Sequence, residues 1–201
     1  MRLDHIAYRV KNRNETAKFF KESFGYTLQE EFEIKFDDGS TAKCIALEPP
    51  EKLDHRMPFK FGVQVVEQKT TESKDLTDNE RSAIQTNVYP TCNYHLAPEI
   101  FISDGETNSI VGKWVEERGG IGGIHHLAYQ VSNVEETMKE WKDKGYAEFT
   151  TEEPLKCEGV TQVFTKPSSL TGVIYEFIER SEQGFCKDNV KDLMESTSDL
   201  K

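Results

Sequence analysis

Basic residues are in short supply: 25 Lys and Arg stand against 36 Asp and Glu, leaving a formal net charge of −11 over 201 residues. Phosphate contacts need clustered Lys and Arg, so this balance argues against a general nucleic-acid binder. The sequence also lacks any run approaching the roughly 20 apolar residues of a membrane-spanning helix, and no basic and then apolar leader precedes its first strand-like segment. A soluble, cytoplasmic protein without nucleic-acid or membrane partners is expected. Cysteine is sparse as well. Cys44, Cys92, Cys157 and Cys186 are widely spaced and contain no Cys-x-x-Cys pair, so neither a zinc knuckle nor a disulfide framework is signalled, and all four are expected to be reduced.

What the chain does have is a phrase that occurs twice. Leu3-Asp4-His5-Ile6-Ala7-Tyr8-Arg9-Val10 returns as Ile124-His125-His126-Leu127-Ala128-Tyr129-Gln130-Val131. Each copy alternates as a strand does, so His5 and His126 take matching positions and faces. Strict alternation turns His125 to the face opposite His126, and puts Arg9 on the face of His5, where it is a candidate anchor for a substrate carboxylate. Each phrase is followed by a helix-like run that opens on an asparagine, Asn14 or Asn133, suited to an N-cap, and stops at Gly25-Tyr26 or Gly145-Tyr146. A duplicated module, with a site shared between its halves, is the reading.

The rest of the chain fills out two modules of βαβββ order and an α+β class. The first spans 1–108, with strands near 3–10, 28–36, 41–48 and 98–103, and an insertion at about 50–95 that holds an extra strand at 60–67. Residues 109–123 provide a linker helix and a flexible Gly-rich lead. The second module spans 124–180, with strands at 124–131, near 146–151, near 160–166 and at 172–179. Residues 181–201 form a C-terminal helix over 187–195 and a polar tail, the helix carrying Val190, Leu193 and Met194 as one apolar stripe. With Phe185 it is a candidate lid, although packing on the outside is the more usual role of such a helix.

Two βαβββ modules that each open with this His-x-Ala-Tyr strand resemble the vicinal oxygen chelate superfamily, which includes glyoxalase I, methylmalonyl-CoA epimerase, extradiol dioxygenases and 4-hydroxyphenylpyruvate dioxygenase. Residues 119–195 are most similar to the C-terminal half of the last of these. Gly119-Gly120-Ile121-Gly122-Gly123-Ile124-His125-His126-Leu127-Ala128 is similar to its Gly-Gly-x-Gly-Val-Gln-His-Ile-Ala, and Val163-Phe164-Thr165-Lys166-Pro167 to its Ile-Phe-Thr-Lys-Pro. Tyr175-Glu176-Phe177-Ile178-Glu179-Arg180 likewise resembles Phe-Glu-Ile-Ile-Gln-Arg. Methylmalonyl-CoA epimerase is a second likeness, through Leu3 to Tyr8 and Gly172 to Glu176.

The resemblance implies curled half-barrel sheets around a divalent metal held by His5, His126 and Glu176. Independently, a carboxylate flanked by Ile174, Tyr175, Phe177 and Ile178 would be costly to bury without a cation. Two imidazoles and one carboxylate form the facial triad of non-haem Fe(II) oxygenases, so Fe(II) and a small oxo acid or other oxygen chelator are the first expectation. Glu99 occupies the place where glyoxalases and epimerases put a fourth ligand that can also act as the base, with Gln64 in reserve. Four ligands would suit Zn, Ni, Co or Mn and a lyase or isomerase passing through a metal-bound enolate. A non-catalytic small-molecule-binding protein is the remaining alternative, and the chain is expected as a monomer or homodimer.

Overall fold

The two copies of the repeated phrase lie side by side. In the computed structural model, which describes residues 1–50, 97–180 and 184–198, strand β1 (Arg2–Val10) pairs antiparallel with β5 (Gly122–Gln130). Each is the inner strand of one module. On one side follow helix α1 (Arg13–Phe24), β2 (Thr27–Lys35), β3 (Thr41–Glu48) and β4 (Glu99–Gly105). After helix α2 (Ile110–Glu117) and β5, the other side follows with helix α3 (Val134–Asp143), β6 (Leu155–Cys157), β7 (Val160–Phe164) and β8 (Ile174–Arg180), and helix α4 (Lys187–Ser196) closes the described chain.

The strands form one eight-stranded sheet in the order β2-β3-β4-β1-β5-β8-β7-β6. Each half pairs its first and last strands in parallel, β1 with β4 and β5 with β8, and each half curls as a half-barrel. The expected strand at 60–67, together with Gln64, lies outside the described residues.

Local chemistry sets the helix ends. α1 is capped by Asn12, two residues earlier than the sequence suggested, its side chain accepting from the N–H groups of Asn14 and Glu15. α3 is capped by Asn133, which accepts from Glu136 N–H at 2.9 Å. Gly25 closes α1 at φ +74°, a conformation that a side chain would strain.

Several expectations need correction. Residues near 146–151 contribute one bridge, Phe149 with Thr165, rather than a strand, and pairing resumes only at β6 beyond Pro154, which has no N–H to offer a ladder. The Gly-rich lead is part of the sheet: Gly122 pairs with Val10, and a Cβ there would come within 2.0 Å of the Arg9 carbonyl oxygen. Glycine at 122 therefore serves close approach, not slack. Finally, Cys157 and Cys186 form a disulfide between β6 and the N-cap of α4. They stand 29 residues apart in sequence with no motif around them, and only the fold of α4 back onto β6 brings them together.

Each module packs its own helix on the outer face of the sheet: α1 over Ile45, Leu47, Ile100 and Ile102, and α3 over Val163 and Phe177. The inner face of the first half is covered by Trp114 and Val115 of α2 and by Val190 and Met194 of α4, against Phe32, Ile34 and Phe101. The apolar stripe of α4 is thus buried on the concave side, and full burial of side chains such as Leu193 and Met194 contributes about 1.5–3 kcal/mol each. No described helix is long and apolar enough to cross a membrane.

Candidate metal centre

Strand register places the centre. Across the middle of the sheet, Glu99, His5, Ala128 and Glu176 form one row on β4, β1, β5 and β8, and Phe101, Ala7, His126 and Ile174 form a neighbouring row. The alanine of each repeat therefore faces the histidine of the other. Ala7 and Ala128, both buried, leave space above the sheet for two imidazoles and a carboxylate to converge from adjacent strands. This is the physical sense of the His-x-Ala spacing.

The three side chains do converge. His5 Nε2 lies 3.2 Å from His126 Nε2 and 3.3 Å from Glu176 Oε2, and His126 Nε2 lies 3.0 Å from Glu176 Oε2. All three residues are buried, and among the described residues they are the one group of three or more such donors gathered closely enough to share an ion. Donor atoms about 2.1 Å from an ion at right angles to one another would be about 3.0 Å apart, which fits this spacing.

The second nitrogen of each imidazole is also engaged. His5 Nδ1 lies 3.0 Å from Asp4 Oδ2, and His126 Nδ1 lies 2.8 Å from His125 Nδ1. Asp4 Oδ2 and His125 Nδ1 stand where they can accept a proton from the Nδ1 of His5 and of His126, the tautomer that would be required for both Nε2 atoms to hold an ion. Both partners reach their histidines by the same device. The β1–β5 register passes over Asp4 in one strand and His125 in the other, so each is the extra residue of a bulge just before the converging histidine. Strict alternation fails there, and His125 is buried beside His126 rather than turned to the opposite face.

Electrostatics follow from burial and pairing. Burial opposes charge on His5, yet the carboxylates of Glu176 and Asp4 outweigh it and raise its pKa to about 9. Burial pushes Glu176 the other way, but His5 and His126 hold it down at about 2. Burial lowers His126, and burial together with the charge of Arg9 takes His125 well below the ordinary histidine range. Without an ion, the cluster at neutral pH is therefore an imidazolium–carboxylate pair beside two neutral imidazoles.

Glu99 shares the row of His5, but its carboxylate lies 2.7 Å from Arg180 Nη2, which also lies 2.9 Å from Asp4 Oδ2. Glu99 belongs to this ion-pair chain and is not one of the three converging groups. Arg9 is 2% exposed and lines the same cavity, with its Nη2 donating to Thr197 Oγ1 at 3.1 Å. Phe101, Phe164, Phe185, Leu193 and Met194 make the cavity walls apolar. The candidate lid, Phe185 with α4, lines the same cavity as the three converging side chains, the Phe185 ring 5.0 Å from that of His5. Gln162, buried on β7, also lines the cavity. Sequence reasoning missed it, although it stands two residues before Phe164 and so on the same face.

Sequence and structure comparisons agree with this architecture. Residues 4–164 match the family model of the Glyoxalase/Bleomycin resistance protein/Dioxygenase superfamily, while no curated protein matches the chain. Among solved structures, a variant of 4-hydroxymandelate synthase from Streptomyces coelicolor superposes with a TM-score of 0.66 at 15% identity, covering 98% of this chain and 53% of that one. A hypothetical protein from Bacillus halodurans gives 0.56 at 22% identity, with 92% and 98% covered. Methylmalonyl-CoA epimerase from Mycobacterium tuberculosis gives 0.55 at 16%, with 89% and 87% covered. These likenesses speak to the fold. With four-fifths of its length matching one family model and the fold to go with it, the chain belongs to the glyoxalase/bleomycin resistance/dioxygenase superfamily.

Proposed function

We propose that this protein is a metal-dependent enzyme in which His5, His126 and Glu176 hold a divalent ion, Fe(II) first, and that it acts as a dioxygenase on a small oxo acid or related oxygen chelator. The observation that carries the reading is that two neutral-capable imidazole nitrogens and one carboxylate oxygen meet within 3.3 Å of one another, while the nearest further acid in the row, Glu99, is engaged by Arg180. A ferrous ion held by such a face supplies oxygen activation and leaves positions for a chelating substrate. Asp4 keeps the His5 Nδ1 proton on the far side of the ring, and His125 accepts from His126 Nδ1, so both Nε2 lone pairs face inward. Phe101, Phe164 and Phe185 keep bulk water from the reacting centre. The likeness to 4-hydroxymandelate synthase is compatible with this reading.

A second reading is a lyase or isomerase using Zn, Ni, Co or Mn, with Glu99 as fourth ligand and proton-abstracting base. It draws support from the position of Glu99 directly beside His5 in the sheet and requires its carboxylate to leave Arg180. Metal analysis of protein purified without chelators, combined with oxygen uptake over a panel of 2-oxo acids, separates the readings. Iron with substrate-dependent oxygen consumption supports the dioxygenase. Zinc, nickel or cobalt with α-proton exchange in deuterated water supports the isomerase, and tight small-molecule binding without any metal supports a sequestering protein.

A further inference from the structure

One wall of the cavity is α4, through Val190, Leu193 and Met194, and beside it stands the Phe185 ring, 5.0 Å from the ring of His5 and 4.9 Å from that of Phe101. The two ends of this wall are fastened differently. At the C-terminal end Thr197 accepts from Arg9 Nη2 at 3.1 Å, and Ser196 Oγ donates to Thr150 Oγ1 at 3.1 Å. At the N-terminal end Cys186, the N-cap, makes no side-chain capping hydrogen bond, and Asn189 reaches the Leu155 carbonyl at 3.5 Å. What fastens that end covalently is the bond from Cys186 to Cys157 of β6. Both cysteines are half-buried, and Lys156, Glu158 and Lys187 beside them are exposed. β6 itself is a three-residue strand at the rim of the sheet, paired with β7 alone among the described strands. The sulfurs therefore stand where an external thiol can reach them, one residue from a side chain that lines the cavity.

We propose that Cys157–Cys186 is a thiol–disulfide exchange site, and that its reduction by an external dithiol releases Phe185 and the first turn of α4 from the cavity. The proposal concerns access to the cavity and holds whether or not an ion sits in it. In the exchange a thiolate of the dithiol attacks Cys157 Sγ, the bond between the two cysteines breaks, and Cys186 leaves as a thiolate; the second thiol of the dithiol then resolves the mixed disulfide. The dithiol is oxidised to its own disulfide, and its two protons end on Cys157 and Cys186. Departure of Cys186 is favoured because a thiolate at the start of a ten-residue helix meets the unpaired N–H groups there. The bond acts mainly on the opened state. An undocked α4 still tied to β6 gains little freedom, whereas one whose N-terminal end is loose gains the entropy that loop closure withheld. The anchors at Ser196 and Thr197 remain, so the helix swings from its C-terminal end.

The test compares the full chain oxidised, the same chain reduced with dithiothreitol and desalted without air, and Cys157→Ser. Diethyl pyrocarbonate labelling of His126, located by tandem mass spectrometry, reports access to the cavity, and amide hydrogen exchange on the same samples reports the helix. Labelling should be at least about tenfold faster in the reduced chain and in Cys157→Ser than in the oxidised chain, and re-oxidation should return the reduced chain, but not the variant, to the slow rate. Amides of α4 should exchange faster in step, while those of β1 and β5 stay protected. Equal labelling of the oxidised and reduced chains would overturn the proposal. Loss of protection throughout β1 and β5 on reduction would overturn it too, because the bond would then be a staple of the whole fold and not a latch on one helix. Should Cys157→Ser fail to fold, the oxidised and reduced chains decide the matter alone. Neither readout needs a metal, so the latch fails or survives separately from the metal centre.

Discussion

Ala128 lies directly across the sheet from His5 on one side and from Glu176 on the other. A methyl group at this point is what lets a side chain from the first module and one from the second lean over the same spot. Ala128→Leu should fill that spot. Overpacking of this kind costs about 1–3 kcal/mol in stability, and the displaced ligands should weaken Mn²⁺ binding about 100-fold or more, read by calorimetric titration beside thermal unfolding. Native metal affinity in the Ala128→Leu variant would contradict the register argument.

Glu176 and Glu99 make a contrast. Glu176→Gln removes the only carboxylate among the three converging groups and should lower divalent-ion affinity by at least about 100-fold. Glu99→Gln breaks an ion pair with Arg180 and should change that affinity by no more than about threefold. Loss of metal from the Glu99→Gln protein would transfer support to the four-ligand reading.

Metal binding should release a proton at neutral pH. His5 is protonated below about 9 because Glu176 and Asp4 outweigh its burial, and an ion competes with that proton for Nε2. Affinity should therefore climb by up to about tenfold per pH unit below 9 and level off above it. Calorimetry at pH 7 in buffers of different ionisation enthalpy measures the release. A heat independent of buffer would show that no proton leaves.

On the proposed metal centre, the partners of His5 and His126 should matter without touching the ion. His125→Phe removes the acceptor for His126 Nδ1 and Asp4→Leu the one for His5 Nδ1, and each should cost about 10–100-fold in metal affinity. His125→Asn should restore most of the first loss by returning an acceptor, whereas equal losses in both His125 variants would point to packing instead.

The disulfide ties α4, which covers the cavity, to β6. Closing a loop across 29 residues restricts the unfolded chain by about 3–4 kcal/mol in the entropic account. Cys186→Ser should lower stability by about that amount, seen in the midpoint of denaturant unfolding, and reductant should move the native protein toward the variant. Identical midpoints in all three conditions would show that the bond carries no stability.

Much of this architecture was legible because it is written twice. The repeat of Leu3–Val10 in Ile124–Val131 showed that His5 and His126 would be equivalent, and the hydrophobic neighbours of Glu176 argued for a cation beside it. The bulges were not legible, because a bulge arises when paired strands fall out of step, and alternation within one strand carries no trace of its partner. Hence the misplacement of His125. The Cys157–Cys186 bond was hidden for a similar reason, since it depends on where α4 docks. The pairing of Glu99 with Arg180 joins residues 81 positions apart through the β4–β1–β5–β8 order, which local pattern could not supply.

The central claim is that one divalent ion is held jointly by the two repeats and Glu176. Titration with Mn²⁺ followed by electron paramagnetic resonance tests it most directly. The native chain should bind one ion, and His5→Ala, His126→Ala and Glu176→Ala should each abolish that binding while leaving a folded protein. Binding that persists undiminished in any of the three variants, or no binding by the native chain, would contradict the account.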